Sequence, residues 1–197
     1  MKIPELFKSG KTVFSFEIFP PKKDGSIETV YKTLDGLSDL RPDFISVTFG
    51  AGGSAAGVST SDIAGIIKRK YNTESIAHLT CVNMTKADID RQIEEFREQG
   101  IENVLALRGD INPEIPPKKD FLHASDLISY MKERSDLSFS GACYPEGHVE
   151  CDSIDKDIEN LKIKVNAGAS HLISQLFFDN EAFYRFIEKA RAAGINV

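Results

Sequence analysis

Thr12-Val-Phe-Ser-Phe-Glu-Ile-Phe19 reads as a strand that carries one charge where an open sheet would tolerate none. Alternate residues of a strand face opposite sides, so Phe14, Phe16 and Ile18 form one face and Val13, Ser15, Glu17 and Phe19 the other. A strand of an open parallel sheet is covered by helices on both faces and is apolar on both. A strand of a closed (β/α)8 barrel can carry a polar inward residue near its C-terminal mouth. Glu17 fits the barrel. Five further apolar runs finish the same way: Phe44–Phe49 with Thr48, Ser75–Cys81 with His78 and Thr80, Asn103–Leu107 followed by Arg108-Gly109-Asp110, Ser138–Tyr144 with its tyrosine, and Ser170–Phe178 with Gln175.

Helical periodicity fills the intervals, over about Ser26–Leu40, Thr60–Tyr71, Thr85–Gln99, Ala124–Arg134, Ser153–Ala167 and Glu181–Ala193. In the third, Ile89, Ile93 and Phe96 recur at helical spacing, Thr85 caps the start and Gly100 ends the run. The βα alternation predicts an α/β fold with a parallel sheet, a (β/α)8 TIM barrel whose chemistry sits at the C-terminal strand ends. Such a barrel needs eight units, about 250 residues. The sequence has 197 residues and ends at Ala193-Gly-Ile-Asn-Val197, where a seventh strand would begin. The expectation is a single catalytic barrel domain over residues 1–197, with about the first six βα units present and the C-terminal part missing.

Composition narrows the function. Lys and Arg number 24 against 30 Asp and Glu, a net charge of −6, which argues against nucleic-acid binding by bulk electrostatics. With 41% hydrophobic and 27% charged residues the chain is too apolar for disorder. No apolar run approaches the roughly 18 residues of a membrane helix, and Met1-Lys-Ile-Pro-Glu5 lacks a signal peptide's apolar stretch. A cytoplasmic protein is expected, with Cys81, Cys143 and Cys151 as reduced thiols.

Five constellations compete for the chemistry. Glu17, among Phe16, Ile18 and Phe19 and before the stiff Pro20-Pro21, reads as a carboxyl with a raised pKa that acts as general acid, or else as a solvated loop glutamate. Gly50-Ala-Gly-Gly-Ser-Ala55 spells a dinucleotide fingerprint, but no helix cap appears before Ser59, so a glycine loop over a ligand is the better reading. Arg108-Gly109-Asp110 offers close backbone approach between two opposite charges, or a surface turn with an ion pair. Cys143, His148 and Cys151 have a spacing that permits zinc. The strand assignment of Cys143 opposes it, leaving His148 as a ligand contact and Cys151 as a bystander. Lys118 and Lys119 form a solvated pair or attract an anionic substrate, and His171 is structural.

Seven segments in one order, Phe14-Ser-Phe-Glu-Ile-Phe-Pro-Pro21, Ser46-Val-Thr-Phe-Gly-Ala51, His78-Leu-Thr-Cys81, Ala106-Leu-Arg-Gly-Asp110, Ala124-Ser-Asp-Leu127, Ala142-Cys-Tyr-Pro-Glu146 and Ser174-Gln-Leu-Phe-Phe-Asp179, closely resemble the bacterial 5,10-methylenetetrahydrofolate reductase flavoproteins. The resemblance implies a barrel with FAD bound at its mouth and reduction of methylenetetrahydrofolate to 5-methyltetrahydrofolate by NAD(P)H, in one-carbon and methionine metabolism. It makes Glu17 the general acid that opens the folate's imidazolidine ring, Asp110 a catalytic residue beside flavin and folate, and Gln175 a contact to folate and the nicotinamide donor. It assigns cofactor contacts to Thr48, Ala51, His78, Arg108, Gly109, Asp110, Ala124, Tyr144, His148, Asp157, Asn160 and Lys164, with no metal. It also implies a homo-oligomer or, in some relatives, a partner subunit. Phe49 and His123 depart from tyrosines common in the family. The rival readings are a non-catalytic or partner-dependent barrel that binds flavin or pterin without turnover, and a zinc-dependent methyltransferase barrel.

Overall fold

A computed structural model describes residues 1–21, 26–49 and 59–197. Six parallel strands pair in chain order: β1 (Ser15–Ile18), β2 (Phe44–Val47), β3 (Glu74–Thr80), β4 (Asn103–Leu107), β5 (Ser138–Cys143) and β6 (Ala169–Ser174). A doubly wound sheet reverses its strand order at a switch point, whereas a barrel adds each strand beside the last. The order β1-β2-β3-β4-β5-β6 is the barrel's, and the sheet curls into a partial TIM barrel. Among the described residues β1 and β6 are its two edges.

Helices follow each strand on the outer face: α2 (Ile27–Leu37), α3 (Thr60–Tyr71), α4 (Lys86–Gln99), α5 (Ala124–Lys132), α6 (Ile154–Ala167) and α7 (Asn180–Ala192). Their starts follow from local chemistry. Ser26, Ser59, Thr85, Ser153 and Asp179 each accept a hydrogen bond from a first-turn N–H, satisfying donors that the helix cannot pair internally. Gly100, in the left-handed conformation, ends α4. The main core lies between the sheet's outer face and α2 to α5, with Val47, Ile63, Ala77, Leu79, Val104 and Leu127 fully buried.

The inner face has its own small core of Ile3, Phe44, Ile76 and Leu105. A short helix absent from the sequence reading, α1 (Pro4–Phe7), supplies Ile3 from just before its start and packs Leu6 against this core. Asn103 holds that segment at the strands' N-terminal ends: its Oδ1 accepts from the Ile3 N–H at 2.9 Å and its Nδ2 donates to the Met1 carbonyl at 3.0 Å. Four strands are shorter than expected, with β2 stopping at Val47, β5 at Cys143 and the two edge strands differing most. β1 starts at Ser15 rather than Thr12, and β6 stops at Ser174 with Leu176 and Phe178 exposed beyond it. Each edge strand pairs on one side only, so its ladder ends with its single neighbour. No helix among the described residues is long and apolar enough to cross a membrane.

Candidate functional site

Period-two alternation carries Glu17, Ser46 and His78 to the inner face at adjacent positions, because Glu17 is in register with Ser46 on β2 and Ser46 with Ile76 on β3. Ser46 Oγ lies 3.4 Å from Glu17 Oε2 and His78 Nε2 lies 3.5 Å from the same oxygen. Ser46 and His78 are buried, while the Glu17 side chain is 47% exposed toward the mouth. The aromatic enclosure expected for Glu17 is absent. Phe16 and Ile18 turn to the outer core, Phe14 packs edge-on against Phe16 at 4.8 Å, and Phe19 is exposed. Strand neighbours face away from each other, so the carboxylate sits beside a hydroxyl and an imidazole. Burial pushes the His78 pKa down to about 4, so its ring is neutral near pH 7, and its Nε2 has no hydrogen-bond partner.

A cavity of about 310 Å³ lies between the C-terminal ends of β4 and β5 and the helices α5 and α6. Arg108, Ala124, Tyr144, His148, Asp157, Asn160 and Lys164 line it, seven residues that the sequence scatters over two successive βα units. Tyr144 and His148 meet edge to face, with ring centres 4.6 Å apart. Asp157 at the first turn of α6 accepts the His148 N–H at 3.0 Å, fixing the loop. Arg108 grips both oxygens of Glu150 at 2.5 and 2.8 Å. Lys164 Nζ donates to the Ala142 carbonyl at 2.6 Å, and burial holds its pKa below the usual lysine range. Two larger grooves, about 570 and 610 Å³, lie at the strands' N-terminal ends and along α4, lined largely by charged surface side chains.

The remaining expected residues stand around the mouth. Gly109 adopts φ +87°, and a Cβ there would lie 2.9 Å from Thr80 Cβ, so the turn needs glycine. Asp110 and Gln175 are exposed, and the Gln175 N–H bonds the Cys143 carbonyl at 2.8 Å, which places it just past β6 beside β5. Thr48 donates its N–H to the Ile18 carbonyl and accepts from Thr60 Oγ1, both at 3.0 Å, tying β1, β2 and the start of α3 together. Ala51 and the Gly50–Ala55 loop lie outside the described residues.

The C-x4-H-x2-C spacing does not converge. Cys143 is buried against α6 and α7, its thiol pushed up to about 11, whereas His148 and Cys151 line the cavity. Cys151 is therefore part of the cavity wall rather than a bystander. Among the described residues no three His, Cys, Asp or Glu side chains gather as a metal would require. Lys118 pairs with Asp88 of α4 at 3.1 Å, a structural contact. His171 is buried near Phe7, with ring centres 6.0 Å apart. Sequence reasoning missed Ser46, although its alternation with Thr48 signals an inward position, and missed the role of Glu150, for which no local signal exists.

Comparison with known proteins fits this geometry. The methylenetetrahydrofolate reductase family profile matches residues 2–197. The 5,10-methylenetetrahydrofolate reductase of Escherichia coli is 40% identical over 188 residues, covering 95% of this chain and 62% of that protein. The Arabidopsis thaliana methylenetetrahydrofolate reductase (NADH) 1 is 38% identical, covering 99% of this chain and 35% of that one. The chain thus spans about 62% of the length of its bacterial relatives. Among solved structures, a Clostridium thermocellum protein that binds two copies of 5-methyl-5,6,7,8-tetrahydrofolic acid aligns with TM-score 0.66 at 15% identity, covering 98% of this chain and 65% of that one, a likeness of fold. The chain belongs to the methylenetetrahydrofolate reductase family.

Proposed function

We propose that this chain is the FAD- and folate-binding part of an NAD(P)H-dependent reductase that converts 5,10-methylenetetrahydrofolate to 5-methyltetrahydrofolate in the cytoplasm. Residues 1–197 belong to one catalytic barrel domain. The observation that carries this reading is convergence. Seven residues assigned to flavin contact by family resemblance line one cavity at the C-terminal ends of β4 and β5, and the expected general acid stands on β1 of the same sheet, with Ser46 and His78 next to its carboxylate. A cavity of about 310 Å³ is at the small end of ligand sites. The donor set suits a flavin dinucleotide. Arg108 and Lys164 offer cations to a diphosphate, Tyr144 and His148 offer ring surfaces, and on β3 the buried Nε2 of His78 has no hydrogen-bond partner. Bound there, FAD would supply the hydride carrier between the nicotinamide donor and the folate.

The chain's own residues then have separable tasks. Glu17 delivers a proton to N10 of the folate, so that the imidazolidine ring opens to an iminium ion able to accept hydride. Ser46 holds the Glu17 carboxyl with its hydroxyl, and the neutral His78 stands next to it. Gly109 lets the backbone approach the ligand, Asp110 places a negative charge next to it, and Gln175 orients folate and the nicotinamide donor. The C. thermocellum neighbour binds 5-methyl-5,6,7,8-tetrahydrofolic acid, which supports a folate ligand for a chain of this fold. The protein works as a homo-oligomer or with a partner subunit.

The test is the visible spectrum after loading with FAD and removing the excess, followed by anaerobic NADH. Retained flavin that bleaches supports the reading, and absence of retained flavin overturns it for this chain. Glu17→Gln is expected to leave bleaching intact while lowering the folate step by about 10²- to 10⁴-fold. A second reading is a barrel that binds flavin or pterin without turnover. It predicts bleaching with no methyltetrahydrofolate formed.

A further inference from the structure

We propose that Glu150 is a latch on the nucleotide cavity, neutralising Arg108 until a phosphate-bearing ligand displaces it. This deepens the flavin reading above and rests on it. The planar guanidinium at the end of β4 presents two parallel N–H groups to the two Glu150 oxygens, at 2.5 and 2.8 Å. That fork matches a phosphate as well as it matches a carboxylate, so Glu150 occupies the donors that an anionic ligand would use.

Position separates the two partners. Arg108 is mostly buried, and its Nε donates to the Gly109 carbonyl at 3.1 Å, which keeps the guanidinium at the cavity wall without Glu150. Glu150 sits in the loop between β5 and α6. Its backbone N–H bonds His148 Nδ1 at 3.1 Å, and the His148 N–H bonds Asp157, so the loop backbone is held. Its side chain is 51% exposed and free to turn outward. A half-exposed ion pair is weak in water, and a ligand presenting two charged oxygens can replace it. The charge inventory points the same way. Histidines aside, the lining carries Arg108 and Lys164 against Glu150 and Asp157, a neutral set that becomes cationic when the Glu150 carboxylate leaves. A carboxylate that merely oriented Arg108 for the ligand would give the opposite response on removal.

The experiment compares the wild-type chain, Glu150→Gln and Asp152→Asn by calorimetric titration with FAD and with riboflavin, which lacks phosphate. Asp152 is an exposed carboxylate two residues away and controls for the change in overall charge. Glu150→Gln is expected to bind FAD about threefold to tenfold more tightly, with Asp152→Asn unchanged and riboflavin indifferent to either substitution. Equal or weaker FAD binding by Glu150→Gln overturns the latch and leaves the flavin site standing. An equal gain in Asp152→Asn, or an equal gain for riboflavin, also overturns it. FAD binding by none of the three overturns the flavin reading and the latch together.

Discussion

At the residue scale, Gly109 shows how little freedom the mouth has. Its φ of +87° lies where a side chain is strained, and an added Cβ would press on the side chain of Thr80, itself part of β3. Gly109→Ala is expected to cost about 1–3 kcal/mol and to weaken FAD binding, because relief of the clash moves Arg108 and Asp110 together. A denaturant midpoint and FAD affinity both equal to wild type would sink that account. The same scale shows why some site residues were legible. Glu17 and His78 are polar intruders in apolar runs, and alternation says which way they face. Glu150 carries no such mark, since a glutamate in a loop rich in polar residues looks like any solvated charge until Arg108 is found opposite it.

At the scale of elements, helix ends are the local features written most plainly. Thr85 Oγ1 accepts from the Asp88 N–H at 3.2 Å and Asp88 Oδ2 accepts from the Thr85 N–H at 2.7 Å, two otherwise unpaired donors satisfied at once. These bonds, with Lys118 beside it, hold the Asp88 carboxyl well below the usual carboxylate range. Thr85→Ala is expected to destabilise the fold by about 1 kcal/mol, seen as a lower urea midpoint with an unchanged slope. A changed slope would mean that the substitution acts on compactness instead. Strand ends were less legible than helix caps. Where β1 begins and β6 stops is set by the neighbouring strand, and α1 is a single turn too short for any periodicity.

At the scale of the whole molecule, burial turns two imidazoles into acid-sensitive points. His78 at the mouth and His171 on β6 both have pKa values lowered to about 4 by desolvation, against 6.5 when exposed, and both leave Nε2 without a partner. The unfolded chain therefore binds protons that the folded chain refuses. Stability is full above about pH 6.5 and is lost as pH falls toward 4. A drop from pH 7 to pH 5 is expected to cost on the order of 2 kcal/mol per histidine, measured by urea unfolding at the two values. His171→Leu removes the titrating group from a buried site and should cut that difference by about half. Unfolding midpoints identical at pH 7 and pH 5 would show that neither ring is held neutral.

What the amino-acid sequence determined by itself is what depends on near neighbours along the chain. Six βα units follow from two periodicities, the helix starts follow from capping side chains, and the barrel rather than the open sheet follows from polar strand ends such as Glu17 and Tyr144. Family membership follows from seven short segments in order. Tertiary structure alone decided which of these residues meet. Arg108 just past β4, Glu150 beyond β5 and Lys164 on α6 share a cavity because parallel register brings the C-terminal strand ends to one rim. It also put Ser46 and His78 beside Glu17, since the company of an inward side chain comes from adjacent strands. Pairing across strands depends on register and curl, which are summed over the entire sheet and are written in no single stretch of sequence.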